Sequence, residues 1–290
     1  MKKFSLILFL LAVLSLSHAE GWKLASDLSF TLTQNQYSDN WAGSELSNVT
    51  WVANSNSSAE KQMAKWLNNK TTLKLAFGQT HLQKRDIAGD VTWDHPTKST
   101  DKIDLESLSK FTLQAWVDPY LSLRAESQFI DESDATLTRI VNPILLTESA
   151  GVMKTLWKKE RDELSLRLGA AFREKLDREV LQLSGEREMV TTVDGGAEFV
   201  SEFKHIFLLM DANFKSKFWA YKALFNSKSD DPGFGDNWKA ADFVWENVLT
   251  AKLWKIVSGS LTFEMRYDKE QQTQVQWKQI LGVGVSYSLF

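Results

Sequence analysis

The feature that most constrains the fold is the alternation in the final stretch of the chain, from Gln276 to Phe290. Between Leu281 and Leu289 every odd position is apolar, and every even position is Gly or Ser. A period of two predicts a β-strand with one bulky, apolar face and one small face. Such a strand invites aggregation at the edge of a soluble sheet, whereas a closed membrane barrel pairs its last strand with its first. The ending therefore predicts a closed barrel.

The first nineteen residues have the organisation of a cleaved secretory signal peptide. Lys2 and Lys3 precede an apolar run from Phe4 to Leu16, and the small residues Ser17 and Ala19 predict cleavage after Ala19. The alternative is an uncleaved anchor, but the run is shorter than the ~20 residues that a spanning helix needs. We therefore predict a signal peptide over residues 1–19 and one barrel domain over residues 20–290.

Charge and cysteine content exclude several classes of function. Without Lys2 and Lys3, 32 basic side chains face 37 acidic ones, which gives a net charge of −5 and does not suggest a nucleic-acid partner. The chain has no cysteine, so thiol nucleophiles, zinc–thiolate sites and iron–sulfur clusters are excluded. The 12 Trp and 17 Phe are typical of the aromatic belts of membrane barrels.

The same alternation recurs along the chain and predicts an all-β fold, a single closed antiparallel transmembrane barrel of about twelve strands. Long polar connections alternate with short turns, as in barrels with long outer loops and short periplasmic turns. One long loop is predicted over residues 174–188, and a turn at Ser258-Gly259. The predicted strands cover residues 22–33, 46–53, 67–77, 103–113, 121–129, 151–157, 164–173, 193–203, 206–220, 243–253, 261–267 and the final stretch.

The two faces of these strands differ in charge. One carries almost no charge in its central part, and the other carries Lys, Arg, Asp or Glu on nearly every strand. Because a charge against lipid at mid-membrane costs about 2–4 kcal/mol, the charged face is predicted to line the lumen. Opposite charges lie close together on that face, at Arg124 and Glu126, Glu264 and Arg266, and Asp211 and Lys215. This mixture favours a lumen filled by ion pairs over a selective pore.

Catalytic and metal-binding patterns are weak, and we predict no catalytic, cofactor-binding or metal-binding residues and no cofactor. His81 and His95, with the adjacent Asp94, are interpreted as solvated loop residues, and Gly233-Phe234-Gly235 as an ordinary loop. Asp230, Asp231 and Asp236 do not have the spacing of a calcium loop. A barrel lipase would need a Ser–His pair at the lipid edge, for which Ser201 and His205 are the nearest candidates.

Short motifs resemble a family of Bacteroidetes-type outer-membrane proteins, domain of unknown function 3078. The motifs are Asn40-Trp41-Ala42-Gly43, Trp66-Leu67-Asn68 with Phe77-Gly78, Lys98 with Thr100-Asp101-Lys102, and Gly282-Val283-Gly284-Val285-Ser286-Tyr287. The resemblance implies an outer-membrane barrel of Gram-negative bacteria with no known activity, so it supplies no catalytic residue.

We therefore expect a non-enzymatic barrel of the outer membrane, either porin-like or structural, with polar extracellular loops. The expected partners are the lipid bilayer and the periplasmic chaperone and barrel-assembly machinery, with no nucleic acid and an unknown small-molecule or ion ligand. The alternatives are a periplasmic β-sandwich binding module and, less well supported, the barrel lipase.

Overall fold

The computed structural model describes residues 21–38, 45–87, 89–134, 137–180, 187–208, 211–231 and 234–288. The predicted signal peptide, the Asn40–Gly43 motif and Phe290 lie outside these ranges. The described residues contain no helix that is long and apolar enough to cross a membrane.

Twelve long antiparallel strands form the fold. They are β1 (Trp22–Asn35), β2 (Asn48–Ala64), β3 (Leu67–Arg85), β5 (Thr97–Phe111), β6 (Asp118–Ser127), β9 (Ile144–Lys158), β10 (Asp162–Val180), β11 (Arg187–Phe207), β12 (Ala212–Asn226), β13 (Ala241–Trp254), β14 (Val257–Tyr267) and β15 (Gln276–Ser288). The connections contain short strands β4 (Val91–Trp93), β7 (Ile130–Asp131) and β8 (Arg139–Ile140), and a 3₁₀ turn, Asn237–Lys239.

The twelve strands close into a ring because the first strand pairs with the last. Each long strand is hydrogen-bonded to the next long strand along the chain, and β15 returns to β1. Within the described part of the chain the closing pair is short, since Asp27–Thr31 of β1 faces Gly284–Ser288 of β15, whereas β10 and β11 pair over the whole of Asp162–Val180. The predicted closed twelve-stranded antiparallel barrel is confirmed, and the predicted β-sandwich alternative is wrong.

The two faces of the ring also agree with the prediction. Leu28, Phe30, Leu123, Leu168 and Leu281 belong to a large set of exposed apolar side chains on the outer face. Buried positions are largely polar, and they include Asp104, Arg167, Arg173, Glu198 and Glu264. A soluble protein buries its apolar side chains and exposes its charged ones. The reverse distribution found here is that of a barrel whose outer face contacts lipid.

Aromatic side chains gather toward both ends of the outer face. Trp66, Trp116, Trp157 and Trp254 lie in or beside the short turns. Toward the other end, Phe30, Trp51, Phe77 and Phe129 form a chain of ring contacts with centroid separations of 5.8–6.2 Å. Two such bands are the arrangement of interfacial aromatic girdles.

Several predicted strand boundaries are wrong. Residues 54–60 belong to β2, and residues 174–180 belong to β10, so the predicted long loop at 174–188 is replaced by strand on both sides of a short connection. Ile206 belongs to the last residues of β11 instead of beginning β12, and Ser258-Gly259 lies inside β14 instead of in a turn. The errors in β2 and β10 have one cause, because strands that continue beyond the apolar zone are polar on both faces and lose the alternation.

Candidate functional site in the barrel lumen

The centre of the lumen is occupied by charged side chains that meet across the barrel. Glu106 of β5 forms an ion pair with Arg167 of β10 at 2.7 Å and accepts a hydrogen bond from Lys217 of β12 at 3.0 Å. Lys217 also contacts Glu202 of β11 at 3.2 Å. Since β5 and β12 are five strands apart in the ring of twelve, these contacts span the bore.

A second set of ion pairs lies beside the first. Glu246 of β13 contacts Lys74 of β3 at 3.1 Å and Lys102 of β5 at 3.9 Å. The strands β5 and β13 are six apart in either direction around the ring, so they are opposite walls. Asp104 contacts Lys102 at 3.7 Å and receives a bidentate hydrogen bond from Arg124 at 2.9 and 3.0 Å. We call eight of these residues, all except Arg124, the central network: Lys74, Lys102, Asp104, Glu106, Arg167, Glu202, Lys217 and Glu246.

The outer half of the lumen holds a third cluster, centred on Arg173. Its guanidinium donates to Asp194 at 2.8 and 3.1 Å and to Asp242 at 3.1 Å, and it stacks 3.7 Å above the ring of Tyr221. The Tyr221 hydroxyl donates to Asp194 at 2.5 Å. Trp238, from the 3₁₀ turn, packs against Tyr221 and its buried neighbours, so the β12–β13 connection folds into the mouth.

A polar hollow of about 330 Å³ lies between β5 and the β14–β15 pair. Its cations are already paired, since Lys278 contacts Glu264 at 3.2 Å and Lys98 contacts Asp101 at 3.3 Å. Arg266 also contacts Glu264. This hollow therefore offers a ligand little uncompensated charge.

The structure confirms two of the three predicted same-face charge pairs. Arg124 contacts Glu126 at 2.8 Å, and Arg266 contacts Glu264. The third prediction is wrong, because Asp211 lies in the turn before β12 and makes no ion pair with Lys215 in the described structure. Sequence spacing could not show the cross-lumen partners, which depend on which strands the closed ring places opposite each other.

The candidate catalytic residues are not assembled into a site. Ser201 and His205 lie four residues apart on β11, which is about 13 Å along a strand. His205 instead contacts Asp162 at 2.6 Å and packs against Phe207. His81 lies in β3 and His95 in the following connection, where Asp94 pairs with Lys84 at 2.9 Å.

The candidate metal ligands are likewise apart. Asp236 pairs with Lys239 at 2.7 Å, and Asp230 and Asp231 are in the preceding turn. Within the described ranges, no three His, Asp or Glu side chains converge as a metal site would require. Gly233 lies outside the described residues, so the structure does not describe the Gly233-Phe234-Gly235 loop as a whole.

The fold and the lumen together define the class of this protein as a transmembrane β-barrel of the outer-membrane type. Its predicted family resemblance is confirmed over part of the chain, because residues 32–132 match the sequence model of the family described as Protein of unknown function (DUF3078). The matched region contains the Trp66–Asn68, Phe77-Gly78 and Lys98–Lys102 motifs. The glycine-rich ending lies beyond it. No curated protein matches the sequence.

Solved structures similar to this chain are membrane barrels. The translocator domain of the autotransporter NalP from Neisseria meningitidis is 10% identical, with a TM-score of 0.38, and the match covers 98% of this chain and 95% of that one. An outer membrane channel from Pseudomonas putida F1 is 13% identical, with a TM-score of 0.45 and coverage of 92% and 94%. OprB of Pseudomonas putida is 9% identical, with a TM-score of 0.30 and coverage of 93% and 93%. These scores are low, and the class rests on this chain's own strand pairing and side-chain distribution.

Proposed function

We propose that this protein is a non-enzymatic barrel of the bacterial outer membrane whose lumen is closed at mid-height, so that it acts as a structural, loop-displaying protein and not as an open diffusion pore. The observation that carries this proposal is the contact between opposite walls. Glu246 and Lys102 are on strands six apart in the ring, yet their charged groups are 3.9 Å apart.

Energetics support a persistent closure. Each of the four carboxylates of the central network faces two cations within 4 Å. In a partly dehydrated lumen, separating such pairs leaves charges that only water can compensate. A hydrated ion would have to break several of these contacts to pass.

The remaining parts of the proposal concern export and location. The predicted signal peptide delivers the chain to the periplasm, where chaperones and the barrel-assembly machinery insert it into the outer membrane. The long connections then face the exterior, where Asp131 contacts Arg139 and accepts a hydrogen bond from Asn142 within the β6–β9 connection. Connections held by such contacts are suited to contact with external partners.

Single-channel recording in planar bilayers tests the closed lumen. We expect the wild-type barrel to give no steady conductance, and we expect a Glu106→Ala/Glu246→Ala double variant to conduct, because it removes the acceptors on both sides of the bore. A large, stable conductance from the wild type would contradict the closed lumen and favour a porin-like role.

Two further measurements test the other parts. Gel migration of unboiled against boiled protein reports barrel closure, and fractionation of cells reports location. For the enzyme alternative, lipid hydrolysis that is present in the wild type and lost in Ser201→Ala or His205→Ala would overturn the non-enzymatic assignment.

A further inference from the structure

Below the central network, toward the short turns, the lumen carries lysines without ion-pair partners. Lys70 is three residues from the start of β3, Lys215 three from the start of β12, and Lys204 three from the end of β11. All three positions are therefore at the same end of the barrel. The described residues place no carboxylate within ion-pair distance of any of the three.

The strand alternation directs these side chains into the lumen. Lys215 is two residues from Lys217, and Lys204 is two residues from Glu202, both of which belong to the central network. Lys70 is four residues from Lys74, which reaches Glu246 across the bore. Residues an even number apart on a regular strand share a face, so the lysines share the lumen face.

Closure of the ring brings the lysines together. Lys204 and Lys215 are direct partners on neighbouring strands. Lys70 approaches from the opposite wall, because β3 and β12 are six strands apart. Lys204, Lys74 and Lys70 are close enough to Lys215 to repel its positive charge, and Asp27 is close enough to attract it.

The positive charge of this region is not balanced by its neighbours. Lys74 is matched by Glu246 in the central network. Glu60 lies beside Lys70 and Lys23 in the register and accepts a hydrogen bond from Asn68 at 3.1 Å. Glu163, the register partner of Lys204, contacts Lys158 at 3.7 Å. Five lysines, Lys23, Lys70, Lys158, Lys204 and Lys215, therefore face three carboxylates, Asp27, Glu60 and Glu163. Like charges held together in a confined space repel one another unless an anion joins them.

We propose that this lysine cluster, Lys70, Lys204 and Lys215, is a binding site for a small multivalent oxyanion of the phosphate type that enters from the short-turn side. Lysine ammonium groups bind such anions as point charges, with three donors each. A lipid headgroup is a poor fit, because the lumen face points away from the bilayer. The central network closes the chamber on its other side, so the anion binds there and does not cross.

Calorimetric titration of the folded protein in detergent with inorganic pyrophosphate tests the site. We expect saturable binding that weakens as ionic strength rises, and a loss of at least about tenfold in affinity for Lys204→Gln/Lys215→Gln, since each substitution removes a charge-assisted contact. The matched control is Lys159→Gln/Lys255→Gln, which removes the same charge from exposed lysines in short turns at the same end. It should bind like the wild type.

Equal affinity in the two double variants would overturn the proposal, as would an absence of saturable binding by the wild type. Lys215→Arg keeps the charge and should retain binding. If Lys204→Gln/Lys215→Gln does not fold, the thermal stability of the wild-type barrel with and without pyrophosphate tests the site. Pyrophosphate should then raise the temperature at which its folded gel band is lost, compared with sodium chloride at equal ionic strength, and no difference would refute the site.

Discussion

Replacing Glu246 with glutamine tests whether the cross-lumen ion pairs stabilise the barrel. The substitution keeps the size of the side chain and removes the charge that Lys74 and Lys102 face at 3.1 and 3.9 Å. Exposed ion pairs contribute about 0–1 kcal/mol, and breaking a buried pair costs about 3–5 kcal/mol. The side chains of Glu246, Lys74 and Lys102 are 22%, 29% and 32% exposed, respectively, so the cost of breaking their ion pairs lies between these limits.

The expected loss in the free energy of unfolding is about 2 kcal/mol. It is kept below the fully buried value because Lys102 retains Asp104 at 3.7 Å. Urea unfolding of the protein in detergent, followed by tryptophan fluorescence and by gel mobility, measures this loss. Glu246→Asp should lose less, since it keeps the charge but shortens the reach.

The control is Glu163→Gln, which removes a more exposed ion pair of similar chemistry at the short-turn end of β10. Lys158 and Glu163 are 3.7 Å apart and 73% and 42% exposed, so the expected loss is within about 0.5 kcal/mol. If Glu246→Gln and Glu163→Gln destabilise the barrel equally, the cross-lumen pairs do not stabilise it and the reasoning is refuted.

Three further predictions concern the lipid face, the closing strand pair and the outer loop. Leu123→Arg, at a side chain that is 60% exposed on the outer face, should cost about 2–4 kcal/mol in urea unfolding, whereas Leu113→Arg in a short turn, at 58% exposure, should cost little; similar costs would argue against lipid contact. Gly284→Ala should abolish the folded gel band, since its Cβ would lie 2.0 Å from the Phe30 carbonyl oxygen, whereas Gly259→Ala, with its nearest neighbour at 3.6 Å, should fold normally. Burial raises the pKa of Asp131, but hydrogen bonds from Asn142 and Ser133 outweigh it and hold that pKa below its ordinary value of 3.8. A depressed folded pKa means that this stabilisation is present above the ordinary value and is lost as the pH falls through the folded pKa, so the protection factors of the described amides in loop 128–143 should fall as the pH is lowered below about 4, and Asp131→Asn should remove that dependence.

The strand count and the closed ring were predictable from the sequence because lipid imposes one strict rule. Outward positions must be apolar while inward positions are free, and this rule leaves a period of two wherever a strand crosses the apolar zone. Leu164–Arg173 shows the pattern clearly, and β10 was predicted there. The continuation of β10 to Val180 was missed, because that part carries charged residues at both parities.

The candidate sites depend on information that a sequence does not contain locally. Lys70 and Lys215 are far apart in the chain, and nothing in their local sequence connects them. Their proximity arises only when the ring closes and places β3 opposite β12. The predicted pairing of Asp211 with Lys215 is wrong for a local reason. Asp211 has a φ of 43° and lies in the turn before β12, so it is not on the strand face that carries Lys215.

The short pairing between β1 and β15 has a consequence for how the molecule comes apart. Among the described residues, Asp27–Thr31 pairs with Gly284–Ser288, so fewer backbone bonds tie this junction than tie β10 to β11. Under force or heat, β1 and β15 should separate before any neighbouring pair of strands does. The first intermediate in unfolding is then an open, curved sheet with β1 and β15 as its edge strands.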